Sequence, residues 1–338
     1  MKIKLLWLFL FLFSFPTFAE EFSTSKLWIP QQQGLTTPSQ KLVIPSSRIV
    51  PSAFELKSKG RFPIVFVHGL GVKGQMYEWF VPLQKMLKKS GYEVLIAHLP
   101  FGGTIEEGAE ALRKEIERLV PHGPYHLVGH SRGGLIARFA LAMFGLSELD
   151  PETLENRCVS LTTLGTPHYG SPIAEVALNY LRKPNKNLFD KAAHKLAEHF
   201  AYLSGLNQDS IEQLTPQYMK EVFNAQVQDV PNFPYYSMGF AIRRAGVPLT
   251  GVPAFWITEP MIREMEGHLA PNGGNDGMVS IYSAGWGKSI NDNATYFADH
   301  YSCTSGINSV CGGASTCSIL LKVTDNLKRN FEEEIYSD

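Results

Sequence analysis

Residues 125–140 read YHLVGHSRGGLIARFA, which places a glycine-flanked serine between two apolar segments. The first segment, Tyr125–Gly129, is typical of a buried strand, and Leu135–Ala140 has the spacing of a helix. A G-x-S-x-G sequence between a strand and a helix predicts a sharp turn that exposes the serine hydroxyl. The glycines remove side chains that would collide with neighbouring elements, and the helix N-terminus favours negative charge nearby. Ser131 is therefore the predicted nucleophile.

Strand-like and helix-like segments alternate on both sides of this turn. Short apolar runs predict strands, and amphipathic segments predict helices. The predicted strands are Pro63–His68, Glu93–His98, Cys158–Leu164 and Tyr235–Ile242, and the predicted helices are Met76–Lys89 and Glu106–Val120. This alternation indicates an α/β fold with a mostly parallel central sheet and helices on both faces.

Residues 171–228 interrupt the alternation with helical patterns that have no clear strands between them. Within this insertion, apolar side chains between Phe189 and Leu203 recur at steps of three and four residues, which predicts a helix with one apolar face. Two interpretations of this helix stay open. It is either packed permanently on the core, or it forms a movable lid over an apolar site.

The N-terminal residues differ in composition from the rest of the chain. Two lysines precede the apolar run Leu5–Phe13, and small side chains at Thr17 and Ala19 predict an export signal over residues 1–19. The run is shorter than the roughly 20 residues that span a bilayer, so an uncleaved membrane anchor is the weaker alternative. Residues 20–61 are rich in Pro, Ser, Thr and Gln and predict an extended arm before a catalytic domain over 62–338. The sequence thus indicates a secreted or periplasmic protein with no transmembrane segment after signal removal.

Composition excludes several classes of partner. The chain has 338 residues, 44% of them hydrophobic, and 31 Lys plus Arg offset 32 Asp plus Glu to give a formal charge of −1. Without a basic block, there is no electrostatic reason to expect a nucleic-acid partner. Four cysteines, Cys158, Cys303, Cys311 and Cys317, have three pairings open to them in an oxidising compartment. They form no C-x-x-C pair, so we expect no zinc site.

A serine nucleophile needs a base to accept its proton and a carboxylate to orient that base. After a strand–turn–helix nucleophile, the acid follows the serine and the histidine follows the acid. Of ten histidines, only His300 lies beyond the glycine-containing acidic loop Asn275–Ser280, in which Asp276 is the acid. Asp276 and His300 therefore complete the predicted catalytic set.

Other residues fit these roles less well. Asp299 is adjacent in sequence to the histidine, and a direct neighbour can rarely turn its carboxylate onto the next ring. Asp292 lies in a segment typical of a turn. His268 precedes the acidic loop and would break the chain order. We expect His130 and His168 to be structural members of their motifs that bond to nearby loops.

Two backbone N–H groups are expected to bind the oxyanion that forms when a carbonyl is attacked. One is the N–H of Arg132, directly after the nucleophile. The other is the N–H of Leu70, in the glycine-rich loop 68–71 that follows the first predicted strand.

Four segments together resemble secreted bacterial triacylglycerol lipases of the α/β-hydrolase fold. They are PIVFVHGL at 63–70, GHSRGG at 129–134, LGTPHYGS at 164–171 and NDGMVS at 275–280, and residues 214–237 add to the likeness. The likeness spans about residues 62–305. It implies a Ser131, Asp276 and His300 triad, lid helices after Ser171, and a lipid or other ester substrate at an oil–water interface.

The chain departs from this family at several positions. Ser302 stands where members carry an aspartate that helps to hold a structural calcium, so calcium is uncertain here, and the chemistry requires no cofactor. The family's usual disulfide has no counterpart, because three cysteines cluster behind His300. We expect a bond within that cluster, with its pairing open. Arg132 replaces the glutamine common after the nucleophile, but its backbone N–H remains available.

The sequence therefore predicts a secreted serine ester hydrolase, most simply a triacylglycerol lipase that works through an acyl-enzyme. A phospholipase or lipid acyltransferase with the same triad is the nearest alternative. A peptidase or amidase on the same sheet is more distant, as is a catalytically silent lipid-binding module. The sequence leaves open whether a folding chaperone is a partner.

Overall fold

The computed structural model describes residues 62–70, 84–85, 87–88, 91–100, 102–148, 157–182, 208–242, 255–266, 269, 274–291, 295–304 and 316–331. The predicted export signal, the predicted arm up to residue 61 and the apolar stripe 189–203 lie outside the described residues. Most of the predicted helix 76–89 also lies outside them, although Gln84, Lys85, Leu87 and Lys88 are helical.

A six-stranded parallel sheet forms the centre of the described structure. Its strands, in chain order, are β1 Ile64–Val67, β2 Val94–Ile96, β3 Tyr125–His130, β4 Cys158–Leu164, β5 Tyr235–Met238 and β7 Lys288–Ser289. Their spatial order is β2-β1-β3-β4-β5-β7, and every neighbouring pair is parallel. Because carboxyl ends of parallel strands lie at one edge of a sheet, the loops after β1, β3 and β4 meet there.

Two further short strands, β6 Phe240–Ala241 and β8 Tyr296–Phe297, pair in parallel beside this sheet. The predicted strand 235–242 is therefore two strands. They separate at Gly239, whose N–H and carbonyl both bond to the side-chain amide of Asn291. The break sends the chain out of the main sheet before the acidic loop begins.

Helices cover the sheet and also lie in the described part of residues 171–228. They are α1 Ile105–Leu119, α2 Arg132–Phe144, α3 Pro172–Arg182, α4 Gln208–Glu212, α5 Pro216–Tyr218, α6 Asn224–Gln226, α7 Phe255–Glu266, α8 Ile281–Ala284 and α9 Thr316–Phe331, with a π-helical turn Met219–Phe223 between α5 and α6. The start of α1 is fixed by a capping box between Thr104 and Glu107. Helices α3 to α6 and the π-helical turn lie in the described part of 171–228, and an Arg182–Glu212 ion pair of 2.7 Å joins α3 to α4.

Apolar side chains alternate across the sheet and build a core on each face. In β1, Val65 and Val67 face the core shared with α1 and α2, while Ile64 and Phe66 face the core shared with α9. The α9 residues of that second core are Ile319, Leu320, Val323, Leu327 and Phe331. The predicted α/β architecture, a mostly parallel sheet flanked by helices, is confirmed.

Two findings bear on the expected surroundings of the protein. Within the described ranges, no helix is both long and apolar enough to cross a bilayer. Both cysteines whose side chains are described, Cys158 and Cys303, carry free buried thiols. The expected C-terminal disulfide is therefore not shown, since Cys311 and the side chain of Cys317 lie outside the described residues.

Candidate active site

Ser131 lies in the turn between β3 and α2 with a backbone that few non-glycine residues adopt. Its φ is 54° and its ψ is −132°. Such a left-handed φ costs free energy and is retained where the surroundings hold it in place. Here the Ser131 N–H donates to the carbonyl of Leu164 at 3.0 Å, and the Gly134 N–H donates to the Ser131 carbonyl at 3.0 Å. The turn is thus bonded to the neighbouring strand on one side and to its own helix on the other.

Glycines let three pieces of backbone meet at this turn. A Cβ atom on Gly129 would lie 2.6 Å from the Cα of Gly134, and one on Gly133 would overlap the carbonyl oxygen of Val67. A Cβ on Gly69 would lie 2.7 Å from the Cβ of Ser131. The loop after β1 therefore touches the serine itself, and a larger residue at any of these glycines would displace backbone.

The structure brings Ser131, Asp276 and His300 together in one hydrogen-bonded row. His300 Nε2 lies 2.8 Å from Ser131 Oγ, and His300 Nδ1 lies 2.8 Å from Asp276 Oδ2. The other carboxylate oxygen of Asp276 accepts the N–H groups of Met278 at 2.9 Å and Val279 at 2.7 Å. Asp276 is fully buried and His300 is 2% exposed. One carboxylate oxygen is thereby fixed by the loop, and the other faces the imidazole.

The acidic loop is held by bonds from elements distant in sequence. The Thr258 hydroxyl of α7 donates to the Gly277 carbonyl, and the Ser171 hydroxyl donates to the Met278 carbonyl at 2.6 Å. The His300 N–H donates to the Asp276 carbonyl at 2.9 Å. The acid and the histidine are therefore joined through the backbone as well as through their side chains.

A sequence profile of the alpha/beta hydrolase fold family matches residues 63–201, which include β1, the Ser131 turn and β4. Together with the parallel sheet and the turn after β3, this match decides the fold. The chain has the α/β-hydrolase fold. The expected fold class is confirmed.

Proteins similar in sequence to this chain include triacylglycerol lipases. Triacylglycerol lipase 2 of Saccharomyces cerevisiae is 27% identical over 218 residues, which are 62% of this chain and 58% of that protein. The chain thus spans less than two thirds of the length of this relative. The resemblance to triacylglycerol lipases is confirmed.

Solved structures share the fold at low identity. The mature form of a Bacillus licheniformis lipase aligns with a TM-score of 0.52 at 23% identity, over 76% of this chain and 91% of that chain. A metagenomic carboxyl esterase aligns with a TM-score of 0.54 at 17% identity, over 85% of this chain and 80% of that chain. These likenesses support the α/β-hydrolase fold of the chain.

His130 links the serine turn to the histidine loop. Its Nε2 donates to the carbonyl of His300 at 2.8 Å, and the Cys303 thiol donates to the same oxygen at 3.2 Å. Burial, with a smaller contribution from nearby His300, lowers the pKa of His130 to about 3, so its ring is neutral at neutral pH. His130 therefore places no positive charge beside the imidazole of His300 at neutral pH.

The rival residues have other partners. The Asp299 carboxylate accepts the N–H groups of Tyr301 at 3.0 Å and Ser302 at 2.9 Å, so it caps a turn and does not orient the imidazole. His168 lies between Arg138 at 3.2 Å and Thr163 at 3.0 Å, and burial lowers its pKa well below the usual range. Asp292 and His268 lie outside the described residues.

The two expected oxyanion donors belong to segments that adjoin Ser131, namely the start of α2 and the loop after β1. Arg132 is the first residue of α2, where backbone N–H groups have no partner within the helix. Leu70 is half-buried and follows Gly69, which packs against the serine. What sequence reasoning missed is the side chain of Arg132, which is buried although the residue type favours the surface.

No metal centre is evident in the described part of the chain, where no three His, Cys, Asp or Glu side chains gather to hold an ion. Ser302, where the resemblance implies a calcium-holding aspartate in other proteins, accepts the N–H of Asp299 through its hydroxyl at 3.0 Å. The Ser302 hydroxyl is therefore already hydrogen-bonded within its own turn.

Proposed function

We propose that this protein is a serine carboxylic-ester hydrolase that cleaves glycerides or other long acyl esters, as a triacylglycerol lipase does. The observation that carries the proposal is the row of two 2.8 Å hydrogen bonds from Ser131 through His300 to Asp276. Such a row is the arrangement that activates a hydroxyl for attack on a carbonyl. The names of the sequence relatives supply the substrate class.

In the proposed reaction, Ser131 Oγ attacks the ester carbonyl while His300 Nε2 takes the hydroxyl proton. Asp276 keeps the imidazole in the tautomer that accepts at Nε2 and stabilises the imidazolium that forms. The backbone N–H groups of Leu70 and Arg132 bind the negative oxygen of the tetrahedral intermediate. His300 then gives its proton to the leaving alcohol, and an acyl-Ser131 ester remains.

Water completes the proposed cycle by the same steps. His300 accepts a proton from water, the hydroxide attacks the acyl-enzyme, and the free acid leaves as Ser131 regains its proton. A second alcohol in place of water would give acyl transfer, so a lipid acyltransferase is the second candidate that the same triad serves. No step requires a cofactor or a metal ion.

Three further features belong to the proposal. Within residues 171–228, the segment between α3 and α4, which carries the apolar stripe, would act as a helical lid, while α4 stays bonded to the loop before α1. The 1–19 segment would direct export to the periplasm or the medium. The substrate would be met at an oil–water interface, where a lid exposes apolar surface.

An ester panel with covalent labelling tests the proposed function. Purified protein is incubated with a fluorophosphonate probe, and hydrolysis of emulsified triglyceride, phospholipid, short soluble esters and amides is compared with and without a calcium chelator. We expect labelling at Ser131 and a preference for emulsified long-chain glyceride. Absent labelling together with lipid binding would favour the silent binding module, and preference for amides or for short soluble esters would contradict the lipase assignment.

A further inference from the structure

The side chain of Arg132 runs away from the substrate side of the turn into the protein. It is 1% exposed. Its Nη2 donates to the carbonyl of Gly103 at 2.6 Å and to the carbonyl of Thr104 at 2.6 Å. The residue that supplies a proposed oxyanion N–H is thus bound, through its own side chain, to a loop 28 and 29 residues earlier in the chain.

Residues of the 208–213 segment also form hydrogen bonds with the loop that contains Gly103 and Thr104. The Ser210 hydroxyl of α4 donates to the Gly103 carbonyl at 2.5 Å, and the Ile105 N–H donates to Gln213 Oε1 at 2.6 Å. The Thr104 carbonyl also accepts the first helical bond of α1, from Gly108 at 3.1 Å. Since α1, the insertion and Arg132 all bond to this loop, the loop gives the guanidinium a fixed anchor.

The bonding of Arg132 is unusual for a buried cation. Within the described residues, no carboxylate forms an ion pair with it, and its Nε has no hydrogen-bond partner. Burial lowers its pKa to about 10, although attraction to Glu106 and Glu107 opposes this shift, so the group is still protonated at neutral pH. A buried charge whose hydrogen bonds within the described residues go to neutral oxygens costs stability. Its retention next to the nucleophile therefore calls for a benefit other than stability.

We propose that Arg132 is a positioning residue, whose guanidinium, anchored to the Gly103 and Thr104 carbonyls, holds the Arg132 backbone N–H in line with the oxyanion. This inference rests on the proposed function of the site. When the far end of a long side chain is hydrogen-bonded, the backbone N–H of the same residue has less freedom to rotate. Loss of one oxyanion donor costs about 10²–10³ in kcat, and a displaced donor forfeits part of that factor. The anchor thus acts on the transition state and leaves substrate binding unchanged.

The test compares Arg132→Met and Arg132→Lys with Ser210→Ala. Methionine keeps the apolar stem and removes both bonds, lysine keeps the charge and one bond, and the Ser210 variant loosens the same loop without touching the turn. For each we measure kcat and KM on a soluble ester, per active site titrated with fluorophosphonate, and the Ki of an alkylboronic acid that forms a tetrahedral serine adduct.

For Arg132→Met we expect kcat to fall about 10- to 100-fold with KM within about twofold, and the boronic-acid Ki to rise by the same factor as kcat falls. Arg132→Lys should lie between Met and wild type. Ser210→Ala, which loosens the anchoring loop but keeps both bonds of Arg132, should lower the melting temperature and should lower kcat by less than Arg132→Met does. If Arg132→Met does not fold, the Lys variant is judged by the same proportion between kcat and Ki.

Three outcomes overturn the inference. The first is an unchanged kcat in folded Arg132→Met. The second is a rise in KM that accounts for the whole loss of kcat/KM. The third is an equal loss of kcat in Arg132→Met and Ser210→Ala, which would indicate a purely structural role for the loop contacts. A wild-type protein that neither hydrolyses esters nor binds the boronic acid defeats the proposed function instead, so the two failures are distinguishable.

Discussion

The two halves of the candidate site are held by different kinds of force. The serine turn is held by close contact of backbone, with glycines at 69, 129 and 133 that leave no room for a side chain. The acidic and histidine loops are held by hydrogen bonds from distant elements, such as Ser171 to the loop carbonyl and His300 N–H to the Asp276 carbonyl. Steric exclusion is all-or-none, whereas each hydrogen bond contributes about 1 kcal/mol.

This difference sets how each half should respond to mutation. At glycines 69, 129 and 133 an added Cβ would lie within 3 Å of other atoms, so a side chain there forces the turn to move, because protein interiors are close-packed. A loop defined by several bonds can lose one and keep its shape. We therefore expect large effects at the turn and at the reacting groups, and graded effects in the supports of the acidic loop.

Replacing the nucleophile has the largest expected effect. Ser131→Ala removes the attacking oxygen, so kcat should fall about 10⁶-fold. Because alanine is smaller and the turn is set by glycine contacts, the melting temperature should change little. Ester hydrolysis assays measure kcat, and thermal unfolding followed by circular dichroism measures the melting temperature. A variant that keeps most of its hydrolysis would remove Ser131 from the proposed role.

The two neighbouring acids give a matched pair of variants. Asp276→Asn keeps the shape of the acid but favours the wrong imidazole tautomer, so kcat should fall about 10⁴-fold. Asp299→Asn retains an oxygen that can accept the N–H groups of Tyr301 and Ser302, and its kcat should stay within about threefold of wild type. Equal losses in both variants would show that the two carboxylates share the orienting role.

The serine turn could be predicted from sequence because every residue that defines it lies within a few positions of Ser131 or in one glycine-rich loop. Chain order was enough to select Asp276 and His300. The residues that hold the acidic loop could not be predicted from the sequence. Thr258 and Ser171 are ordinary residue types, and their roles depend on α7 and α3 packing beside that loop. Helix α9, which covers one face of the sheet, was not anticipated either.

The loop after β1 tests the steric half of the comparison. In Gly69→Ala, the new Cβ would lie 2.7 Å from Ser131 Cβ, so the serine or the loop must move. A shift of about 1 Å at a reacting group can cost up to about 10²-fold, and we expect a loss of about 10- to 100-fold in kcat. Gly285→Ala is the control, because its Cβ would have 3.3 Å to the nearest atom, the carbonyl of Tyr282. Similar kinetics for the two variants would contradict a sterically fixed turn.

The smallest expected effect tests the hydrogen-bonded half. Ser171→Ala removes the 2.6 Å bond to the Met278 carbonyl, while both N–H bonds to Asp276 Oδ1 remain. We expect the free energy of unfolding to fall by about 1 kcal/mol and kcat by less than tenfold. Urea unfolding and ester kinetics on the same preparation measure the two changes. A loss of kcat as large as that of Gly69→Ala would show that one bond fixes the acidic loop as rigidly as contact fixes the turn.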